Sequence, residues 1–176
     1  MSEFERRQFQ AQKDQFFREH PQSPLSPRQK DRFTGLNYYP YDPSLAFELS
    51  LMPYENPTEI LMQTNSNVLK PFVRLGKIEF VIEGMTAQLT VYQADYGLFL
   101  PFVDANAGRE TYASGRYLEP EEGVANRLWV DFNFAYNPFC AYSEHYVCPI
   151  TPPENRLSLA IRAGEKIPTG AWVSAG

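Results

Sequence analysis

The sequence predicts a mainly β domain: a strongly curved antiparallel sheet or small barrel of about eight strands, with two N-terminal helices. Three observations carry this expectation. Aromatic residues make up 15% of the 176-residue chain, with 13 Phe and 11 Tyr, and such residues favour half-buried pleated strands while supplying much of the buried area. Beyond Pro43 the apolar residues recur with a period of two, which puts one set on one face of a strand. Short apolar runs then follow one another across tight connections, with no helical stretch long enough for a parallel crossover.

Over 2–20 strong helix formers predominate, and Phe4, Phe9, Phe16 and Phe17 form an imperfect apolar stripe before Pro21 and Pro24 stop the run. Docking on the domain is the expected use of that stripe, and a partner-binding face is the other. Ser26 precedes Pro27 with Gln29 three residues after it, the capping-box pattern of a short second helix that ends near Phe33 and is closed by Gly35. The connector LNYYPYDP over 36–43 holds two prolines and is unsuited to a central strand. Leu45, Phe47, Leu49 and Leu51 open the alternating pattern. Strands are predicted at 59–64, 71–75, 77–83, 86–92 and 98–103, with Gly76, Gly84 and Gly97 at turns, and the spans 127–134 and 157–162 supply the last two. Closure would remove exposed edges; an open sheet covered by the helices is the alternative. The expected organisation is a helical segment over 1–34, a β domain over 35–170 and a frayed tail over 171–176.

Composition narrows the function. A chain with 43% hydrophobic and 21% charged residues is ordinary for a soluble domain with one core. A net charge of −5, with basic residues scattered apart from Arg6 and Arg7, disfavours nucleic acid as a partner. The charged start MSEFERRQFQ and the absence of a long apolar run point to neither a signal peptide nor a membrane span, so a cytoplasmic protein with free thiols is expected.

The stretch 131–157, DFNFAYNPFCAYSEHYVCPITPPENRL, concentrates Asn, Asp, Glu, both cysteines and one of the two histidines among aromatics. Buried polar groups are costly unless partnered, so a structured polar network or a site is expected there. Cys140, His145 and Cys148 carry the elements of a zinc site, although C-x4-H-x2-C matches no standard template and a fourth ligand would have to come from Asp131, Glu154 or water. A Cys140–Cys148 disulfide and ordinary buried thiols are the other readings of the pair. A hydrolase would use Cys140 as nucleophile beside His145, with Asn137 or Asn155 orienting or receiving an oxyanion. Apart from zinc, no cofactor is expected. Arg116, Asp131, Glu154 and Asn155 form a further constellation, able to hold an anion or to stitch strands together. The run Asp104, Asn106, Gly108, Glu110 faintly resembles a calcium loop but lacks its closing Glu, and turn chemistry accounts for it better.

The segments Glu110-Thr111-Tyr112, Gly115-Arg116-Tyr117-Leu118, DFN-x-AYNP-x-CAY, Cys148-Pro149, PPEN-x-L and Ala163-Gly164-Glu165-Lys166 together resemble the bacterial domain of unknown function 1684 family. The resemblance spans about 33–166 and implies one compact domain without implying a reaction. A shorter N-terminal part is the departure, with the loss of a strand or lid as its expected consequence. The reading reached is a module that binds a small polar or anionic ligand. Arg116 would be the charged anchor, Asn133 and Asn137 the orienting groups, Tyr136, Tyr142 and Tyr146 the walls, with Asp131, Glu154 and Asn155 alongside. The hydrolase and a purely structural or protein-interaction role are the alternatives.

Overall fold

The computed structural model describes residues 2–175. Helix α1 (Glu3–Glu19) starts at a capping box formed by Ser2 and Glu5, and α2 (Pro27–Arg32) starts at the predicted box of Ser26 and Gln29 with Pro27 in the first turn. Each box satisfies backbone N–H groups that a helix start leaves without intrahelical partners. Phe17 is the residue of the aromatic stripe that becomes fully buried, whereas Phe4 and Phe9 remain exposed.

Among the described residues eight strands follow: β1 (Ala46–Ser50), β2 (Met52–Gln63), β3 (Leu69–Ile82), β4 (Met85–Ala94), β5 (Gly97–Phe102), β6 (Arg116–Leu118), β7 (Glu121–Glu122) and β8 (Arg127–Asp131). They form two antiparallel sheets, ordered β1-β8-β7 and β2-β3-β4-β5-β6. The expectation of a barrel is therefore corrected. No ladder among the described residues joins the outer strands β2 and β6, and each is handled locally instead of by closure. Pro53 and Pro57 interrupt β2, where its register with β3 shifts between Pro53 and Thr58. The backbone of Tyr136 pairs with Tyr117 on β6 in both directions, at 2.8 and 2.9 Å. Prolines and a covering segment are alternative ways of protecting a sheet edge from further pairing.

Two of the predicted strands, 71–75 and 77–83, are one: β3 runs through Gly76, where the register with β4 shifts. A side chain at Gly76 would lie 2.6 Å from the Met52 carbonyl, so this glycine permits a close strand approach instead of making a turn. The span 157–162 is not a strand. Its backbone is used singly, as Leu157 N–H donates to the Val103 carbonyl at 2.7 Å.

Alternation decides which face is buried. Ile78, Phe80 and Ile82 of β3, Leu89 and Val91 of β4, and Leu98, Leu100 and Phe102 of β5 meet Leu128 and Val130 of β8 in the main core. Full burial of such a side chain contributes roughly 1.5–3 kcal/mol. The opposite face at the far end of the larger sheet holds a second cluster of Met62, Phe72, Tyr92, Phe99 and Tyr117, with Tyr136 packed against it. A third cluster, of Phe17, Leu25, Phe33 and Trp172 with Phe139 and Tyr142 at its edge, fastens the helices to the 131–157 segment. Trp172 is 1% exposed and packs edge-on against Phe33. The frayed tail expected from Ala171 is thus corrected, because its indole completes this cluster.

Candidate functional site

The polar segment folds as a knot around Glu165, which is 1% exposed. One of its carboxylate oxygens accepts from the Lys13 ammonium of α1. The other accepts from the Asn137 N–H at 2.8 Å and from the Tyr142 hydroxyl at 2.9 Å. Asn137 donates from Nδ2 to the Tyr142 hydroxyl at 3.1 Å and to the Lys166 carbonyl at 2.9 Å. Burial, reinforced by the Glu165 charge, pushes the Tyr142 hydroxyl well above its ordinary pKa, so it acts as a neutral donor. A buried carboxylate with one cation and two donors is compensated in the way that low-dielectric surroundings require.

Arg116, also 1% exposed, lies beneath the knot. Its guanidinium donates to the carbonyls of Ile161 at 2.8 Å, Glu165 at 3.0 Å and Ala163, and one nitrogen is 3.7 Å from Asp104. Asp104 in turn accepts from the Thr111 hydroxyl at 2.6 Å and the Ile161 N–H at 2.9 Å. The chain over 161–165 joins no sheet ladder, its one antiparallel bridge among the described residues being between Glu165 and Tyr38, and this planar fork gathers three of its carbonyls at once. Asp104 and its neighbours thus form a turn, as turn chemistry predicts, and Asp104 also backs the Arg116 clamp, which the sequence does not announce.

The other named residues occupy separate places. Asp131 ends β8 and caps the short 3-10 turn Phe132–Phe134 by accepting from Asn133 N–H at 3.0 Å. Asn133 exchanges hydrogen bonds with the Asp42 backbone, at 2.9 and 2.8 Å, and donates to Asp131 at 2.8 Å. Tyr136 donates to Glu119 at 2.6 Å, and the Lys13 ammonium lies 4.8 Å from its ring centre. Asn155 is fully buried between β4 and β5. Asn137 and Tyr142 therefore meet at Glu165, Asp131 meets Asn133, and Arg116 touches the knot through a backbone carbonyl. The set does not converge on one concavity.

Glu154 sits nearer the surface. It accepts a two-pronged contact from Arg74, with Nε at 3.0 Å from Oε1 and Nη2 at 2.5 Å from Oε2, together with the Tyr92 hydroxyl. The Arg74 hydrogen bonds, against opposing burial, hold the Glu154 carboxyl below its ordinary range. A depressed folded-state pKa means stability that is present above the unfolded pKa of about 4.3 and is lost as pH falls through the folded value. Glu154→Gln is accordingly expected to melt below the native protein near neutral pH, by a partly screened amount of about 0.5–1 kcal/mol. The gap should close in acid, which thermal melts across that pH window and at two salt concentrations would check.

Both cysteines are free thiols. Interaction with Cys148, together with burial, pushes the Cys140 thiol above its ordinary pKa. An activated Cys140 nucleophile needs the opposite shift. His145 is exposed, its N–H 3.3 Å from the Ser143 hydroxyl oxygen. Among the described residues no group of three or more His, Cys, Asp and Glu side chains is placed to hold a metal ion.

A cleft of about 790 Å³ opens beside the knot, lined by Ser23–Ser26, Gln29 and Val173 together with Tyr142–Tyr146. Ser23 holds its own wall in place, donating to the Phe17 carbonyl at 2.6 Å and accepting from Leu25 N–H at 3.2 Å. Sequence reasoning missed Glu165 as a hub, although it stood in the quoted Ala163–Lys166 motif, and missed Lys13 and Arg74 altogether. No local pattern singles out a helix lysine or a strand arginine whose partner lies far along the chain.

The fold and site define a two-sheet antiparallel β protein whose first helix is tied to the domain by a buried carboxylate knot. The family described as protein of unknown function (DUF1684) matches residues 31–166. The chain belongs to that family. Five chains among the solved structures match. One, the uncharacterized protein from gene locus rrnAC0354 of Haloarcula marismortui, solved by solution NMR, is 35% identical over 93% of each chain, with a TM-score of 0.71. None of the curated proteins matches. Among the described residues no helix is long and apolar enough to cross a membrane.

Proposed function

We propose that the protein binds a small polar ligand in the cleft walled by Tyr142–Tyr146 and Ser23–Gln29. The observation that carries this reading is the cleft itself, about 790 Å³ beside a wall held by the knot. That volume lies within the range of small-molecule sites, about 300–1,000 Å³. The knot residues then act as supports that orient the wall, and the ligand meets Ser143, Glu144, His145 and Tyr146. Serine hydroxyls, an imidazole and a tyrosine ring suit a ligand with both donors and acceptors and one flat face. Glu144 at the lip disfavours an anion, and Arg116 is committed to carbonyls and Asp104, so an uncharged polar compound fits better than an anionic one.

Titration of isotope-labelled protein with a panel of uncharged polar fragments, followed by amide chemical shifts, tests the reading. Shifts should gather at residues 23–29 and 142–146, and Tyr146→Ala should weaken the best fragment by about fivefold or more, in line with the loss of one aromatic wall. Shifts elsewhere, or none with any fragment, would remove the basis for the cleft as a binding site.

A further inference from the structure

We propose that Arg74 and Lys77 hold a small carboxylate in a hollow of about 330 Å³ on the face of the larger sheet that turns away from the main core. The register fixes that face. Arg74 stands opposite Tyr92 and Lys77 opposite Thr90, and directly opposed residues of an antiparallel pair point to the same side. Tyr92 belongs to the second cluster, so both cations share its side of the sheet. Glu154, from the 3-10 turn Pro153–Asn155, and Tyr54, from the irregular stretch of β2, add to the lining.

The Arg74 guanidinium is held on one face and one edge. The Tyr54 ring centre lies 4.0 Å from its central carbon, and the Tyr54 hydroxyl is 3.0 Å from the Thr90 hydroxyl. Glu154 takes the edge formed by Nε and Nη2, at 3.0 and 2.5 Å, and is itself fixed by the Tyr92 hydroxyl. A guanidinium carries its N–H donors in a flat fork whose edges each match a carboxylate. Here the second edge, Nη1 with the remaining N–H of Nη2, has no protein hydrogen-bond partner among the described residues, and neither has the Lys77 ammonium. Tying the turn to the sheet accounts for the first edge but leaves both of these unexplained. Within the lining two cations stand against one carboxylate, so a singly charged anion balances them, while the neighbouring Glu79 accepts from Gln88 at 2.7 Å. A flat pair of oxygens fits the second edge, and because the fork is already immobilised, little rotamer freedom is lost on binding. Glu154 thus serves the anion through Arg74, as a positioning residue. The hollow shares no lining residue with the cleft at 142–146, so the inference does not rest on that reading.

The test titrates full-length, isotope-labelled protein with sodium acetate and sodium butyrate, followed by NMR, with sodium chloride at the same ionic strength as the control. The carboxylates should give saturable shifts at the Arg74 Nε–H and at the amides of 74–77 and 88–90, and chloride should not. Arg74→Lys keeps the charge and removes the fork, so it should weaken binding at least about tenfold. Lys77→Gln should weaken it about two- to fivefold, the scale of a partly exposed attraction, with an unchanged melting temperature because its ammonium bonds no other side chain. This second variant keeps the test decisive if Arg74→Lys, which also loses the Glu154 contact, misfolds. Absence of saturable shifts with both carboxylates, the same shifts with chloride, undiminished affinity in either variant, or tighter binding of inorganic phosphate than of acetate would each overturn the assignment.

Discussion

Arg116→Met is expected to destabilise the fold by about 3–5 kcal/mol, the cost of breaking a buried charge pair from one side. Three carbonyls, of Ile161, Ala163 and Glu165, lose their donor at once. Asp104 keeps the Thr111 hydroxyl and the Ile161 N–H but loses the nearby cation. Lysine would not rescue the site, because a single ammonium cannot reach carbonyls that the planar fork reaches from two nitrogens. Adding Asp104→Asn should recover about 1–2 kcal/mol by removing the stranded charge, and urea denaturation of the four proteins of the cycle measures that coupling. A loss below about 1 kcal/mol in the single variant would show that Arg116 does not hold the 161–165 segment.

Asn155→Ala should cost about 3 kcal/mol, because three buried backbone groups lose their partners. The reason lies in one rung of the sheet. Tyr92 on β4 pairs with Phe99 on β5, so two residues further along Thr90 stands opposite Pro101, which has no N–H to offer. The Asn155 side chain takes that place. Its Oδ1 accepts from the Thr90 N–H and its Nδ2 donates to the carbonyls of Thr90 and Pro101, all at 2.8 Å. Asn155→Asp keeps the shape but turns a carboxylate towards two carbonyls. Its folded-state pKa would be raised, so the penalty is complete above that pKa, fades as pH falls through it and is gone below the unfolded value of about 3.9. Equilibrium unfolding of both variants between neutral and acid pH checks the sign. If the Asp variant gained nothing relative to the Ala variant in acid, the carbonyl-facing geometry would be refuted.

These two residues mark how far the chain could be read without its fold. Pro27, Ser26 and Gln29 announce α2 because a helix start is a local event, settled within one turn. The alternation that begins at Leu45 announces strands for the same reason. Gly76 suggests a turn because glycine is common there, whereas a neighbouring strand that approaches the backbone decides its role. The density of polar residues over 131–157 announced a network but not its members. Asn155 was a candidate ligand contact until the register placed it opposite a proline, and Glu165 gained its role when α1 brought Lys13 to it.

By itself the sequence determined the two helices, the predominance of antiparallel strands, the polar character of the 131–157 segment and the family to which the chain is similar. These follow from capping, periodicity and composition, which act over a few residues. Only the tertiary structure decided that the sheets stay open, that Trp172 is buried and that Arg116 is spent on carbonyls. Hydrogen bonds between distant segments depend on where the backbone brings their carbonyls and amides, and that placement is set by packing of the whole core.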